Sequence, residues 1–211
     1  MKIGIVFLDY SRHDFTKEAL KSISLAGYPF DLFNINQKGI AKAINIGIDL
    51  TLSYDAMVVC GNDITMPNDW LLKMVDTASA IDNTGMCGIH CVEGAGQYQE
   101  INGKRIMVNY TAFGNVLIPR KAIDKIGYFN ESYDPYGMQD SDYAHRLNKS
   151  GFINYYLCDE LSSHIGHDFG QDSPYRKMKD EGLSTSGEKW QYWLNHYEET
   201  KNYFLPKNQT I

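Results

Sequence analysis

Two groups of acidic residues, far apart in the chain, are of the type needed for metal-assisted acid–base chemistry. The first is Asp63, which ends the apolar run leading into Cys60-Gly61-Asn62-Asp63. The second contains Asp140 and Asp142. A buried strand that stops at an aspartate offers a hard oxygen ligand at the carboxyl edge of a sheet, and a distant carboxylate can converge on the same edge. The pattern favours a substrate that is held by a cation and acted on by a second carboxylate.

The elements that would position these residues alternate between short apolar strands and helical patterns. This alternation predicts βαβ units and a central, mostly parallel sheet flanked by helices. Strands are predicted at 2–8, 30–34, 56–60, 86–92, 114–118 and 153–158, and helices at 15–26, 40–50, 68–80, 120–126 and 140–149. Asn102-Gly103 predicts a two-residue hairpin turn because both positions accept positive φ. The tyrosine-rich tail predicts an amphipathic helix that docks on the body.

Composition excludes several classes of function. A length of 211 residues suits one domain over 1–211, and a net charge of −6 with dispersed Lys and Arg residues argues against a nucleic-acid partner. No apolar run reaches the ~20 residues that span a bilayer, and the first apolar stretch is too short for a signal peptide. The cysteines lie in or beside apolar segments, which is typical of reduced thiols. We therefore expect a cytoplasmic protein without a membrane span.

Four stretches occur in an order typical of one enzyme family. They are FLDYSR at 7–12, QKGIAKAINIGI at 37–48, CGND at 60–63, and a block from Gly127 through Gln139-Asp140-Ser141-Asp142 to Gly151. Over residues 2–170 this order resembles the GT-A glycosyltransferases, and among them family 2. The resemblance implies an α/β, Rossmann-like fold that binds a nucleotide-diphospho-sugar. It implies a nucleotide-binding half at 1–110, an acceptor and catalytic half at 111–170, and a C-terminal helical tail at 171–211.

The resemblance places a metal ion at Asp63, in the position of the family's DxD motif. Gly61 replaces the first acid of that motif, so one carboxylate remains, and hard oxygen ligands favour Mn²⁺ or Mg²⁺. By motif position, His164 is the further ligand, with His167 as its competitor. The alternatives are a capped turn before Pro67 and two histidines in a surface loop.

The resemblance makes Asp140 the general base, which would deprotonate the acceptor hydroxyl from the start of a helix. Gln139 replaces the family's usual glutamate beside this aspartate. Asp142 is predicted to contact the acceptor or to cap the helix. The alternative is that both acids are first-turn residues favoured by the helix dipole.

A further set of residues is predicted to bind the sugar nucleotide. Tyrosine can stack on uracil, asparagine can read its edge, and lysine can approach phosphate as a point charge. The nucleotide-binding set is Leu8, Asp9, Tyr10, Asn36, Gly39, Lys42, Asn45, Gly61 and Asn62, and Gly114 and Asn115 are predicted to border the donor sugar. Lys42 as a solvated helix residue and Tyr10 as a core residue are the alternatives.

Together with the resemblance, these features predict a metal-dependent glycosyltransferase that moves a hexose from a UDP-sugar to a hydroxyl of a glycan or glycoprotein acceptor. That the transfer is inverting is implied by the resemblance alone. A nucleotidyltransferase is the first alternative, although the loop 9–14 lacks the glycines that usually cradle a triphosphate. A catalytically inactive module that binds a sugar nucleotide or glycan is the second, because the metal motif is incomplete. The chain is short for this family, which leaves room for further domains of a longer polypeptide.

Overall fold

A central sheet carries helices on both faces. The computed structural model describes residues 1–10, 13–90, 97–108, 114–165 and 174–205. Its strands are β1 (Ile3–Leu8), β2 (Asp31–Ile35), β3 (Ala56–Gly61), β4 (Ile64–Thr65), β5 (Thr84–His90), β6 (Gln97–Ile101), β7 (Lys104–Val108), β8 (Asn115–Pro119), β9 (Ile153–Leu161) and β10 (Ser163–His164). Its helices are α1 (His13–Ile23), α2 (Ile40–Leu50), α3 (Trp70–Ala80), α4 (Arg120–Ile126), α5 (Gln139–Lys149), α6 (Pro174–Asn195) and α7 (Tyr197–Thr200).

The main sheet has eight strands in the order β2-β1-β3-β8-β5-β9-β7-β6. The pairs β1–β2, β1–β3 and β5–β9 are parallel, whereas β8 runs antiparallel to β3 and β5, and β7 to β6 and β9. The sheet is therefore mixed, which corrects the expectation of a mostly parallel one. Parallel neighbours need a long crossover, usually a helix, and the described part of the chain between β5 and β8 forms a hairpin instead.

Two hydrophobic layers lie on opposite faces of the sheet, and β1 contributes to both. Its residues Ile3, Ile5 and Phe7 join the layer under α1 and α3, and Val6 joins the layer under α2, α4 and α5. A strand buried on both faces must be apolar at successive positions, which explains the uninterrupted apolar run at 3–8.

The hairpin and the tail agree with their sequence patterns. Asn102 and Gly103 have φ values of 50° and 74°, as the predicted two-residue turn between β6 and β7 requires. The tail docks on the body through the N–H of Tyr128, which donates to the carbonyl of Phe204 at 2.7 Å. The 22-residue α6 is the longest helix, yet no helix within the described ranges is long and apolar enough to cross a membrane.

The contact between α2 and β1 predicts that Gly47→Ala destabilises the protein. An added Cβ would lie 2.5 Å from Cγ2 and 2.6 Å from Cγ1 of Val6, which is fully buried. Alanine is the better helix former by about 1 kcal/mol, but overpacking a core typically costs about 1–3 kcal/mol. We expect a lower free energy of unfolding in urea titrations.

The matched control is Gly187→Ala in α6, where no atom lies within 4 Å of an added Cβ. Only the helix propensity changes there, so this variant should gain about 0.5–1 kcal/mol. Stabilisation by both substitutions would show that α2 does not pack against β1 this closely.

Candidate active site

A cavity of about 340 Å³ opens at the carboxyl ends of β1 and β3, beside the first turns of α2 and α5. Open α/β sheets bind ligands at this edge, and small-molecule sites typically have volumes of about 300–1,000 Å³. The wall contains many of the residues proposed from the sequence: Leu8, Tyr10, Gly39, Gly61, Asn62, Asp63, Gly114, Asp140 and His164. Folding brings residues from both halves of the chain to one cavity.

The two predicted metal ligands are adjacent because β4 and β10 form a two-stranded antiparallel sheet. In this pair His164 lies opposite Ile64, and the N–H of Ile165 donates to the carbonyl of Asp63 at 2.9 Å. His164 Nε2 lies 3.4 Å from Asp63 Oδ2. Gly61 leaves room for this carboxylate, since a Cβ there would lie 3.1 Å from Asp63 Oδ1. The glycine that interrupts the acidic motif thus accommodates the remaining acid.

This donor set fits a divalent cation whose coordination is completed by substrate and water. Asp63 offers a carboxylate oxygen and His164 an imidazole nitrogen, a combination that suits Mn²⁺ better than Mg²⁺. No group of three or more potential His, Cys, Asp or Glu ligands occurs in the part of the chain that the structure describes. Two side chains alone would leave coordination positions open for phosphate oxygens. The competing His167 lies outside the described residues.

Asp140 lies in the first turn of α5 and on the wall of the same cavity. Its Oδ1 accepts a hydrogen bond from the N–H of Ser141 at 2.8 Å. Asp140 is therefore an accessible, partly buried carboxylate that faces the same space as the pair Asp63 and His164.

Asp142 has a different environment from Asp140. It is buried, and its Oδ2 accepts a hydrogen bond from Nε of Arg146 at 2.9 Å. Arg146 also donates to the carbonyls of Ile126 and Tyr128, both at 3.0 Å. Burial raises the pKa of Asp142, and the charge of Arg146 opposes that rise. Through Arg146, Asp142 helps to hold α5 next to the segment that precedes it. The geometry lends no support to its predicted contact with the acceptor.

The predicted nucleotide residues divide into those on the cavity wall and those behind it. Leu8, Tyr10, Gly39, Gly61 and Asn62 line the cavity. Tyr10 is 46% exposed, so it is not a core residue and its ring is available for stacking. Asn36 and the side chain of Lys42 are exposed and lie outside the lining.

Asp9 lies outside the lining of the cavity and links the elements at this edge of the sheet by hydrogen bonds. Its carboxylate accepts hydrogen bonds from Thr16 Oγ1 at 2.6 Å, Asn34 Nδ2 at 3.3 Å and Asn62 Nδ2 at 3.2 Å. Burial raises the pKa of Asp9, but the hydrogen bonds from Thr16, His13, Asn34 and Asn62 outweigh it and hold the pKa below its ordinary value. The ionised Asp9 therefore ties α1, β2 and the loop after β3 together.

Asn45 holds the loop before α5 against α2. Its Nδ2 donates to the carbonyl of Phe129 at 3.0 Å and to Glu131 Oε1 at 2.9 Å, while its Oδ1 accepts from the N–H of Phe129 at 2.8 Å. With its amide oxygen and nitrogen engaged in this way, Asn45 has a structural role. The geometry does not support its predicted contact with a nucleotide.

Asp134 was not indicated by the sequence pattern, and it caps α2. Its carboxylate accepts from the N–H groups of Ala41 at 2.9 Å and Lys42 at 3.1 Å. Gly39 adopts a φ of 95°, and a Cβ there would lie 2.5 Å from Asp134 Oδ2. Glycine is required at this point both for its backbone conformation and for the close approach of the cap.

The two residues predicted to border the donor sugar, Gly114 and Asn115, lie in different environments. Gly114 lies on the cavity wall, and its carbonyl accepts from the N–H of Gly61 at 3.0 Å. Asn115 is buried, and its Oδ1 accepts from the N–H of Ile89 at 3.0 Å. Asn115 therefore joins β8 to β5 and lies outside the lining of the cavity.

The predicted set omitted the part of the wall formed by α6, which contributes Met178 and Lys179. The spacing of Lys179, Gly182 and Ser186 follows one face of a helix. Two small residues on that face indicate close packing against another segment, and this signal could have pointed to Lys179 as an inward-facing residue.

The sequence matches the model of one protein family. The model of glycosyl transferase family 2 matches residues 2–139, and the chain belongs to that family. A comparison with curated proteins gave no match.

Similar solved structures include glycosyltransferases. The catalytic domain of Drosophila β1,4-galactosyltransferase 7, solved with xylobiose, aligns with a TM-score of 0.59 at 15% identity, over 84% of this chain and 78% of that one. The mannosyltransferase PcManGT from Pyrobaculum calidifontis, solved with GDP-Man and Mn²⁺, gives 0.59 at 14% identity, over 80% and 58%. S. aureus TarS 1–349 with UDP gives 0.55 at 16%, over 77% and 59%. These likenesses confirm the predicted α/β GT-A fold.

The role of Asn45 predicts that Asn45→Ala destabilises the fold. The substitution leaves the N–H and carbonyl of Phe129 without their side-chain partner, and each unsatisfied buried group costs about 1–3 kcal/mol. We expect the free energy of unfolding to fall by about 2–4 kcal/mol in urea titrations. Asn36→Ala, at an exposed position of the nearby loop, is the control and should change stability little. Equal stability of both variants would contradict the structural role of Asn45.

Proposed function

We propose that this chain is a metal-dependent glycosyltransferase that moves a hexose from a UDP-sugar to a hydroxyl group of a glycan or glycoprotein. The observation that carries the proposal is the convergence of Asp63, His164 and Asp140 on one cavity. The chain's membership of glycosyl transferase family 2 supports the reaction class. Similar structures were solved with nucleotide sugars, two of them also with manganese, and this supports the class of donor and the cation.

The donor would lie across the carboxyl edge of the sheet. Its uracil would stack near Tyr10, beside Leu8 and Gly39, where an exposed aromatic ring and backbone groups line the cavity. Its diphosphate would lie near Asp63 and His164, which would hold the cation. A divalent cation bound there would offset the charge of the diphosphate as the sugar departs. This arrangement directs the sugar towards Gly114 and Asp140.

Asp140 would act on the acceptor. Its carboxylate takes the proton of the acceptor hydroxyl while that oxygen forms a bond to the anomeric carbon. The bond between the anomeric carbon and the phosphate oxygen breaks, and UDP leaves with the electron pair. Attack from the face opposite the diphosphate inverts the anomeric configuration.

If Asp63 and His164 hold a divalent cation, UDP binding should depend on that cation. Calorimetric titration of UDP should give a clear binding isotherm with Mn²⁺ and a much weaker one with EDTA. Loss of residues that merely support metal ligands costs about 10- to 100-fold in metal affinity, so Asp63→Ala should cost at least this much.

Asp159→Ala is the control for this titration because the Asp159 side chain is 79% exposed on β9. It should bind Mn²⁺ and UDP as the wild type does. Absence of UDP binding by the wild type with both Mn²⁺ and Mg²⁺ would refute the proposed function.

Asp140→Asn should separate donor binding from transfer. The amide keeps the size of the carboxylate but cannot accept the proton of the acceptor, so transfer should fall by about 10²- to 10⁴-fold. UDP affinity should stay near that of the wild type. The measurement is UDP release from a panel of UDP-sugars with glycan acceptors, beside calorimetric titration of UDP. Full activity of this variant would remove Asp140 from the chemistry.

A further inference from the structure

Helix α6 forms one side of the cavity and packs closely against the loop before α5. A Cβ at Gly182 would lie 2.4 Å from the carbonyl oxygen of Tyr136, and a Cβ at Gly137 would lie 2.6 Å from Cβ of Ser186. A glycine on each side thus permits close contact between the helix and the loop. This packing sets the position of Lys179, the residue of α6 that adds a charge to the cavity wall.

Lys179 is only 8% exposed, which is unusual for a lysine. Its Nζ lies 5.6 Å from the centroid of the Tyr136 ring, at the outer distance of a cation–π contact. The acids of the described cavity wall are Asp63 and Asp140, and the other lysine of that wall, Lys38, is exposed. A buried lysine therefore lines the same cavity as the candidate metal ligands Asp63 and His164 and the candidate base Asp140.

We infer that Lys179 binds the diphosphate of the donor and stabilises the departing nucleoside diphosphate. The inference rests on the proposed function. A diphosphate that lies near Asp63 and His164 would present oxygens to the α6 side of the cavity. An ammonium donates charge-assisted hydrogen bonds to phosphate, and these are about twice as strong as neutral ones.

The electrostatic interaction between Lys179 and the diphosphate would become stronger during the reaction. As the bond between the anomeric carbon and the phosphate oxygen breaks, the electron pair stays on that oxygen and negative charge accumulates there. The fixed charge of Lys179 would interact more strongly with the leaving group than with the intact donor. The charge of Lys179 would add to that of the cation that Asp63 and His164 would hold, because the Asp63 carboxylate itself neutralises part of the charge of that cation.

The test compares probes that contain or lack the diphosphate. UDP, inorganic pyrophosphate and uridine are titrated with saturating Mn²⁺ against the wild type, Lys179→Met and Lys179→Arg. Methionine keeps most of the length of the side chain and removes its charge, whereas arginine keeps the charge. Lys177→Met, at an exposed lysine of the same helix, is the matched control.

We expect Lys179→Met to weaken UDP and pyrophosphate binding by about 10- to 100-fold, the effect of losing one hydrogen bond to a charged group. Uridine affinity should not change, Lys179→Arg should recover most of the UDP affinity, and Lys177→Met should bind as the wild type does. Thermal unfolding of each variant is measured alongside.

Two results would overturn the inference. One is UDP affinity in Lys179→Met equal to that of the wild type. The other is an equal loss of uridine and UDP affinity together with a lower melting temperature, which would assign Lys179 a structural role. Failure of the proposed function gives a different result, namely no binding of UDP to the wild type itself, and the inference then falls with it.

Discussion

The pairing of β4 with β10 is the interaction on which the candidate site depends. Each strand has only two residues, and they come from widely separated parts of the chain. The N–H of Ile165 extends the pairing to the carbonyl of Asp63. Since an antiparallel ladder sets which residues are opposite each other, it also sets the approach of His164 to Asp63. A two-residue ladder is weak by itself, so its geometry relies on β3 and β9, the long strands that precede each member.

A second constraint comes from the segment between α4 and α5, which carries residues towards the cavity. Three polar side chains hold it in place: Asn45 binds Phe129, Asp134 caps α2, and Arg146 binds the carbonyls of Ile126 and Tyr128. Each of these contacts gives a hydrogen-bond partner to backbone groups that have none within a helix or strand. The segment therefore lies between α2 and α5 and leads into the first residues of α5, Gln139 and Asp140, which line the cavity. Helix α6 packs on its outer side through Gly137 and Gly182.

Much of the fold was predictable because its signals are local. The apolar runs of β1 and β3, the helical spacing of α2 and the positive-φ pair Asn102-Gly103 each act within a few residues. The direction of β8 was not predictable in this way. A run of apolar residues is the same whether its neighbours are parallel or antiparallel, and the direction follows from the connection that leads into it.

In the candidate site, too, the sequence was sufficient to identify some residues and insufficient for others. Residue type and motif order were enough to identify Asp63, His164 and Asp140 as members of one group, and the cavity contains all three. They did not distinguish an asparagine that faces a ligand from one that binds backbone, and Asn45 and Asn115 both bind backbone. They assigned different roles to Asp140 and Asp142, but only the structure shows that Asp140 lines the cavity while Asp142 is buried against Arg146.

By itself the sequence determined the family, the element order and the chemical types available to the site, because these depend on residue identity and local periodicity. The tertiary structure alone decided which polar residues face the cavity and which hold backbone groups behind it. It also decided that α6 brings Lys179 into the cavity wall. The physical reason is that burial and hydrogen-bond partners come from segments distant in the chain, whose contacts exist only after the sheet and helices have packed.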